Sequence, residues 1–102
     1  MEEDSEKIMS DKKSIHIRVW GRVQGVGFRA FVAQQAGLLG VTGWVRNVGY
    51  DQVEARAEGQ EEVLKAFLDV MKEGPSIARV ERHEVDWGEF KDKFDKFQVR
   101  WF

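Results

Sequence analysis

Three glycines and an arginine at the start of a helical pattern fall within the stretch Gly21-Arg22-Val23-Gln24-Gly25-Val26-Gly27-Phe28-Arg29. Glycines at 21, 25 and 27 permit positive φ and leave no side chain between the backbone N–H groups and a ligand. A strand pattern ends before the stretch and a helical pattern begins after it. Unpaired N–H donors and the positive end of a helix dipole therefore converge there. Successive N–H groups curled in this way form an anion nest. Arg29 falls in the first turn of the helix, where its charge opposes the dipole, and a cation so placed invites an anionic partner. The alternative is a glycine-rich turn whose arginine caps a neighbouring carbonyl, and spacing alone does not decide between them.

Two other phosphate motifs are excluded. Gly25-x-Gly27-x-x-Ala30, with Asp51 further on, matches the dinucleotide fingerprint. That fingerprint needs a parallel strand–helix–strand unit in a larger sheet, whereas the segment after this helix reads as the first arm of a hairpin. A lysine-containing phosphate loop, G-x-x-x-x-G-K-[ST], does not occur. His16 and His83 lie far apart on strand patterns and read as surface or packing residues, so no metal site or triad is expected from them. The chain has no cysteine, which removes disulfides, thiolate catalysis and cysteine-based metal sites together.

The elements that must hold this loop follow from periodicity. Ile15, Ile17 and Val19 alternate with His16, Arg18 and Trp20, a half-buried strand. Phe28, Phe31, Val32, Ala36 and Leu39 have helical spacing, with Gly40 as the expected C-cap. Residues 41–48 and 53–57 read as strands joined through Gly49-Tyr50-Asp51 at hairpin length. Val63, Leu64, Phe67, Leu68 and Met71 stripe a second helix over residues 61–72, which Gly74-Pro75 terminates. Strands follow near residues 77–85 and 94–101, with Phe97, Val99 and Trp101 on one face and residues 88–93 as a polar connection. The order predicts an α+β, ferredoxin-like two-layer sandwich: an antiparallel sheet, two helices on one face, βαββαβ and a final edge strand.

With 102 residues the chain has room for one domain. Residues 1–12 read as a disordered acidic tail, and residues 13–102 as the domain. Sixteen basic and 18 acidic residues, net charge -2, give no electrostatic footprint for nucleic acid. No apolar run is long enough for a membrane span, and the polar amino terminus is unlike a signal peptide. A cytoplasmic monomer is the expectation. The charged cluster at residues 89–96 reads as a solvated connection.

GRVQGVGFR, residues 21–29, resembles the first signature of the acylphosphatase family. GWVRN at residues 43–47, followed by VEARAEG at 53–59, is similar to its second. GPSIARVER at 74–82 and FQVRW at 97–101 are similar to its carboxy-terminal half. The hairpin tip departs from the family, with Gly49-Tyr50-Asp51-Gln52 where Asp-Gly is usual, and Phe102 extends the chain by one residue. The resemblance implies hydrolysis of acyl phosphates, carboxyl–phosphate anhydrides, to carboxylate and inorganic phosphate. By position, Arg29 and the backbone amides of Gln24, Gly25, Val26, Gly27 and Phe28 would bind the phosphate. Asn47, with donor and acceptor atoms and no charge, would orient the attacking water. The resemblance implies no cofactor, no metal and no covalent intermediate. The only expected partners are the small-molecule substrate and an inorganic phosphate or other anion in the loop.

Two rival readings share features of this pattern. An RNA-recognition domain shares the order of elements but needs stacking aromatics on its outward sheet face. Here the third strand turns Gln52, Glu54, Arg56 and Glu58 outward. The second rival is a non-catalytic acylphosphatase-like module that recognises an anion or carbamoyl phosphate for chemistry performed elsewhere.

Overall fold

The computed structural model describes residues 11–102, so the expected tail lies outside the described residues as far as residue 10. Strand β1 (Lys12–Arg22) buries Ile15, Ile17 and Val19 on one face. Helix α1 (Phe28–Leu39) buries Phe28, Val32 and Ala36 at four-residue spacing and ends at Gly40, whose φ of 74° only glycine adopts readily. Strands β2 (Thr42–Val48) and β3 (Gln52–Gln60) form the hairpin, with Val48 opposite Gln52. Helix α2 (Glu61–Glu73) buries Leu64, Phe67 and Met71. Its acidic first turn, Glu61 and Glu62, and Lys72 in its last turn complement its dipole. The sheet is completed by β4 (Arg79–Glu89) and β5 (Phe97–Arg100).

The strand order is β4-β1-β3-β2-β5. The first four strands are antiparallel, and β5 adds to β2 in parallel, so the sheet is mixed. The fold is the predicted α+β ferredoxin-like sandwich. Its single core lies between the helices and one sheet face, where Ile15, Ile17, Val19, Val45, Val53 and Ala55 meet Val32, Leu64 and Phe67. No described helix is long and apolar enough to cross a membrane.

The carboxy-terminal half differs in detail from its periodicity. β4 starts at Arg79 instead of residue 77, because residues 75–78 form a turn closed by the Ala78 N–H on the Pro75 carbonyl, and Ile77 is exposed. β4 then runs on to Glu89, so the connection to β5 is residues 90–96. Trp101 lies past the end of β5.

Three features set the position of the 21–29 loop. The β1–β4 register shifts between Trp20 and Gly21, a bulge that re-aims the chain as it leaves the sheet. The Gly21 N–H then donates to the Asp51 carbonyl at 3.0 Å, tying the end of β1 to the tip of the β2–β3 hairpin. Behind the loop, Gly74 at the end of α2 abuts the Phe28 ring so closely that any β-carbon would overlap it. The first residue of α1 is thereby packed against the end of α2.

Candidate active site

The loop between β1 and α1 holds Gly25 at φ 72° and Gly27 at φ 75°, both left-handed. A β-carbon at either would meet nothing within 4 Å, so backbone conformation demands glycine here, not crowding. Val23, fully buried, and Val26, packed against the core, anchor the loop from beneath. The helix that follows starts bare. Gly27 offers no capping side chain and the first turn contains no acid. The first helical bond runs from the Phe31 N–H to the Gly27 carbonyl at 3.0 Å. The N–H groups of Phe28, Arg29 and Ala30 precede it and have no intrahelical acceptor. The positive end of α1 thus faces outward without an internal counter-charge, in the form that attracts anions.

The side chain of Gln24 fixes the loop laterally. Its amide nitrogen lies 3.2 Å from the Val48 carbonyl, 3.2 Å from that of Gly49 and 2.9 Å from that of Gln52. With the Gly21–Asp51 bond, this staples the loop to the hairpin that carries Asn47. Asn47 sits on β2 opposite Val53, so by strand alternation it shares the helix-side face with Val45.

These connections bring the expected residues together. A cleft of about 250 Å³ is lined by Gln24, Gly25, Gly27, Phe28, Arg29 and Asn47, with Val23, Ala30, Val99 and Trp101 completing its walls. Val26 is the one expected loop residue that does not line it. The turn at Gly49-Tyr50-Asp51 leaves Asn47 on the same cleft as Arg29.

Arg29 is half-buried and held from the carboxy-terminal strand. One Nη1–H donates to the Arg100 carbonyl at 3.5 Å, the outer limit of a hydrogen bond. The guanidinium carbon lies 4.2 Å from the centre of the Trp101 ring. The carbonyl-capping alternative is therefore met only by one long bond, which engages one of five guanidinium donors. Trp101 and the Gln24 side chain are the two members of this site that sequence reading did not assign. The only sequence signal for Trp101 is its alternation with Phe97 and Val99, which puts it on the helix-side face.

The histidines are not part of the cleft. His83 is exposed on β4. His16 is buried on the outer sheet face with its Nε2 2.5 Å from Glu54 Oε2, a partner that the sequence reading did not anticipate. Arg46 Nε donates to the other oxygen of Glu54 at 2.7 Å, and Arg18 lies 3.9 Å away. Burial raises the Glu54 carboxyl, but hydrogen bonds from His16 and Arg46, with their charges, outweigh it and hold the group below the ordinary glutamate range. Among the described residues no group of three His, Asp or Glu side chains is arranged to hold a metal ion.

The fold and cleft define a class: a small ferredoxin-like domain with a glycine-rich loop leading into the uncapped start of its first helix. Comparison with known proteins narrows the class. The acylphosphatase family model matches residues 15–99. An acylphosphatase from Salinibacter ruber is 46% identical over 89 residues, covering 87% of this chain and 94% of that one. The crystal structure of acylphosphatase from Bacillus subtilis superposes with a TM-score of 0.82 at 35% identity, covering 86% of this chain and 98% of that one. T. kodakarensis HypF is also similar, with a TM-score of 0.76 at 36% identity, covering 88% of this chain but 12% of that protein. The chain belongs to the acylphosphatase family and is an enzyme of that family.

Proposed function

We propose that this enzyme hydrolyses carboxyl–phosphate anhydrides to a carboxylate and inorganic phosphate, with neither a metal ion nor a covalent enzyme intermediate. The reading is carried by one observation: Arg29, Asn47 and the uncapped start of α1 line a single cleft. The backbone N–H groups of Gln24, Gly25, Val26, Gly27 and Phe28 donate to the phosphoryl oxygens. Arg29 adds a bidentate, charge-assisted grip that lysine would not reproduce. Asn47 holds water through its amide, without a charge that would repel the phosphate or its departing carboxylate.

The water oxygen forms the new P–O bond as the P–O bond to the acyl group breaks. The bonding pair leaves with the carboxylate, and the protons of water pass to phosphate and solvent. The leaving group is weakly basic, so the protein needs to position and stabilise, not to supply a strong base. Preorganised donors aimed at the charge on the transferring phosphoryl group are each worth roughly 100- to 1,000-fold in rate. Inorganic phosphate, the product, occupies the same loop and inhibits. We place the enzyme in the cytoplasm, a compartment that its cysteine-free composition suits.

The test is phosphate release from benzoyl phosphate by purified protein in excess chelator. Turnover above the spontaneous rate is expected, and its absence with folded protein would overturn the reading. The same assay separates the rival, a non-catalytic module recognising an anion or carbamoyl phosphate. Such a module binds phosphate in the loop yet leaves benzoyl phosphate intact.

A further inference from the structure

Strand alternation turns Glu54, Arg56 and Glu58 of β3 away from the helices, which reads in sequence as an acidic face. The structure reverses that sign. Glu58 is 3% exposed, and its two carboxylate oxygens accept the Lys91 and Lys93 backbone N–H groups, each at 2.8 Å. Glu54 is buried and taken by His16 and Arg46. Neither carboxylate presents charge to solvent. What this end of the outer face does present is Arg56, Lys91 and Lys93, all exposed.

The 90–96 connection is built to hold the two lysines together. Glu58 clasps it at both N–H groups, and Asp92 between them takes φ 53°, a left-handed conformation uncommon outside glycine. Lys91 and Lys93 then line one cleft of about 500 Å³ with Arg56, while Asp92 lines the neighbouring cleft with Lys12. Among the described residues no carboxylate lies within 4.0 Å of a charged nitrogen of Arg56, Lys91 or Lys93. Three cations without partners on one concave surface repel one another until a multivalent anion neutralises them. The remaining walls are Ser14, Ile15, Trp44, Ala57, Phe94 and Glu58, whose two carboxylate oxygens are taken by the Lys91 and Lys93 N–H groups. Trp44 is 7% exposed and its ring is covered by the guanidinium carbons of Arg46 and Arg100 at 5.2 and 4.7 Å from its centre, so the half-buried Phe94 is the ring open to a ligand. The volume falls in the range of roughly 300–1,000 Å³ common for small-molecule sites.

We propose that this cleft is a second anion site, which binds a nucleoside diphosphate with its phosphates on Arg56, Lys91 and Lys93 and its base against Phe94. It lies at the end of the sheet where Thr42 pairs with Glu58, whereas the 21–29 loop lies at the end where Val48 pairs with Gln52. The two sites are separate.

The test is titration of ADP, pyrophosphate and adenosine by calorimetry and amide chemical shifts, in the wild type, Arg29→Ala and the double variant Lys91→Ala/Lys93→Ala. ADP should bind in the wild type and in Arg29→Ala with equal affinity, moving the Lys91, Lys93 and Phe94 amides. The double variant should weaken it at least about tenfold and leave benzoyl phosphate turnover unchanged. Pyrophosphate should bind about tenfold more weakly than ADP, and adenosine not at all. No saturable ADP binding below about 1 mM, or ADP binding lost in Arg29→Ala and kept in the double variant, would overturn the site. Equal affinity for pyrophosphate and ADP would overturn the nucleoside assignment.

Discussion

The guanidinium of Arg29 lies under the indole of Trp101, 4.2 Å from carbon to ring centre, at a cleft that both residues line. Trp101 is itself 78% exposed, so it adds little to the core and its main contact is the arginine. An exposed cation–π pair contributes about 0.5–1 kcal/mol. Trp101→Ala should therefore weaken inhibition by inorganic phosphate about two- to fivefold, with a melting temperature lowered by no more than about 8 °C. Trp101→Phe should recover most of the loss. If the alanine variant binds phosphate as the wild type does, the indole does not position Arg29.

Arg29 and Asn47 line one cleft but are proposed to do different work, and kinetics separates them. Arg29→Ala should lower kcat/KM at least about 100-fold, in line with the loss of a charged donor to the transferring group. Its stability should change little, since the side chain makes one long hydrogen bond and one stacking contact. Arg29→Lys should remain far below wild type, because an ammonium lacks the planar fork. Asn47→Ala should reduce kcat more than it weakens phosphate inhibition. A variant at Asn47 that loses phosphate affinity and keeps kcat would make it a ligand-binding residue.

Gln24 joins structure to site. Its amide nitrogen reaches three hairpin carbonyls while the residue lines the cleft. Gln24→Ala should lose roughly 1–2 kcal/mol of stability, a fall in Tm of about 4–8 °C per kcal/mol, and also lower kcat/KM as the loop moves relative to Asn47. Gln24→Glu should be worse than alanine, since a carboxylate would face three carbonyl oxygens. Equal stability of wild type and both variants by thermal melts would show that the staple is unnecessary.

Much of this was legible in the sequence, and the parts that were not share a cause. Ile15, Ile17 and Val19 announce β1, and Gly40 and Gly74 close the two helices at the expected positions, because each signal is local. The left-handed glycines and bare helix start of the 21–29 loop were legible for the same reason: glycine positions and a helix start are sequence neighbours. Trp101 over Arg29 was not legible. It depends on a strand only four residues long pairing in parallel with β2, and pairing at a sheet edge is set by distant contacts. Glu54 and Glu58 misled for a related reason. Alternation places them outward, but alternation does not show that His16 and Arg46 cover one and the 90–96 connection the other.

Glu54 supplies the pH dependence. Its carboxyl sits below its ordinary value of 4.5, since the bonds from His16 and Arg46 outweigh the burial that opposes them. In the window below that value the unfolded chain binds the proton more readily, so stability there rises with pH. The contribution is complete above the unfolded value and is lost as pH falls through the lower folded one. Glu54→Gln removes the titration, so its stability should vary less steeply with pH on the acid side. Near neutrality the variant should be less stable by about 1–3 kcal/mol, because His16 and Arg46 lose a charged acceptor. Urea unfolding at intervals from about pH 3 to 7 measures both effects. Parallel acid limbs for wild type and variant would show that Glu54 is not the group that sets the slope.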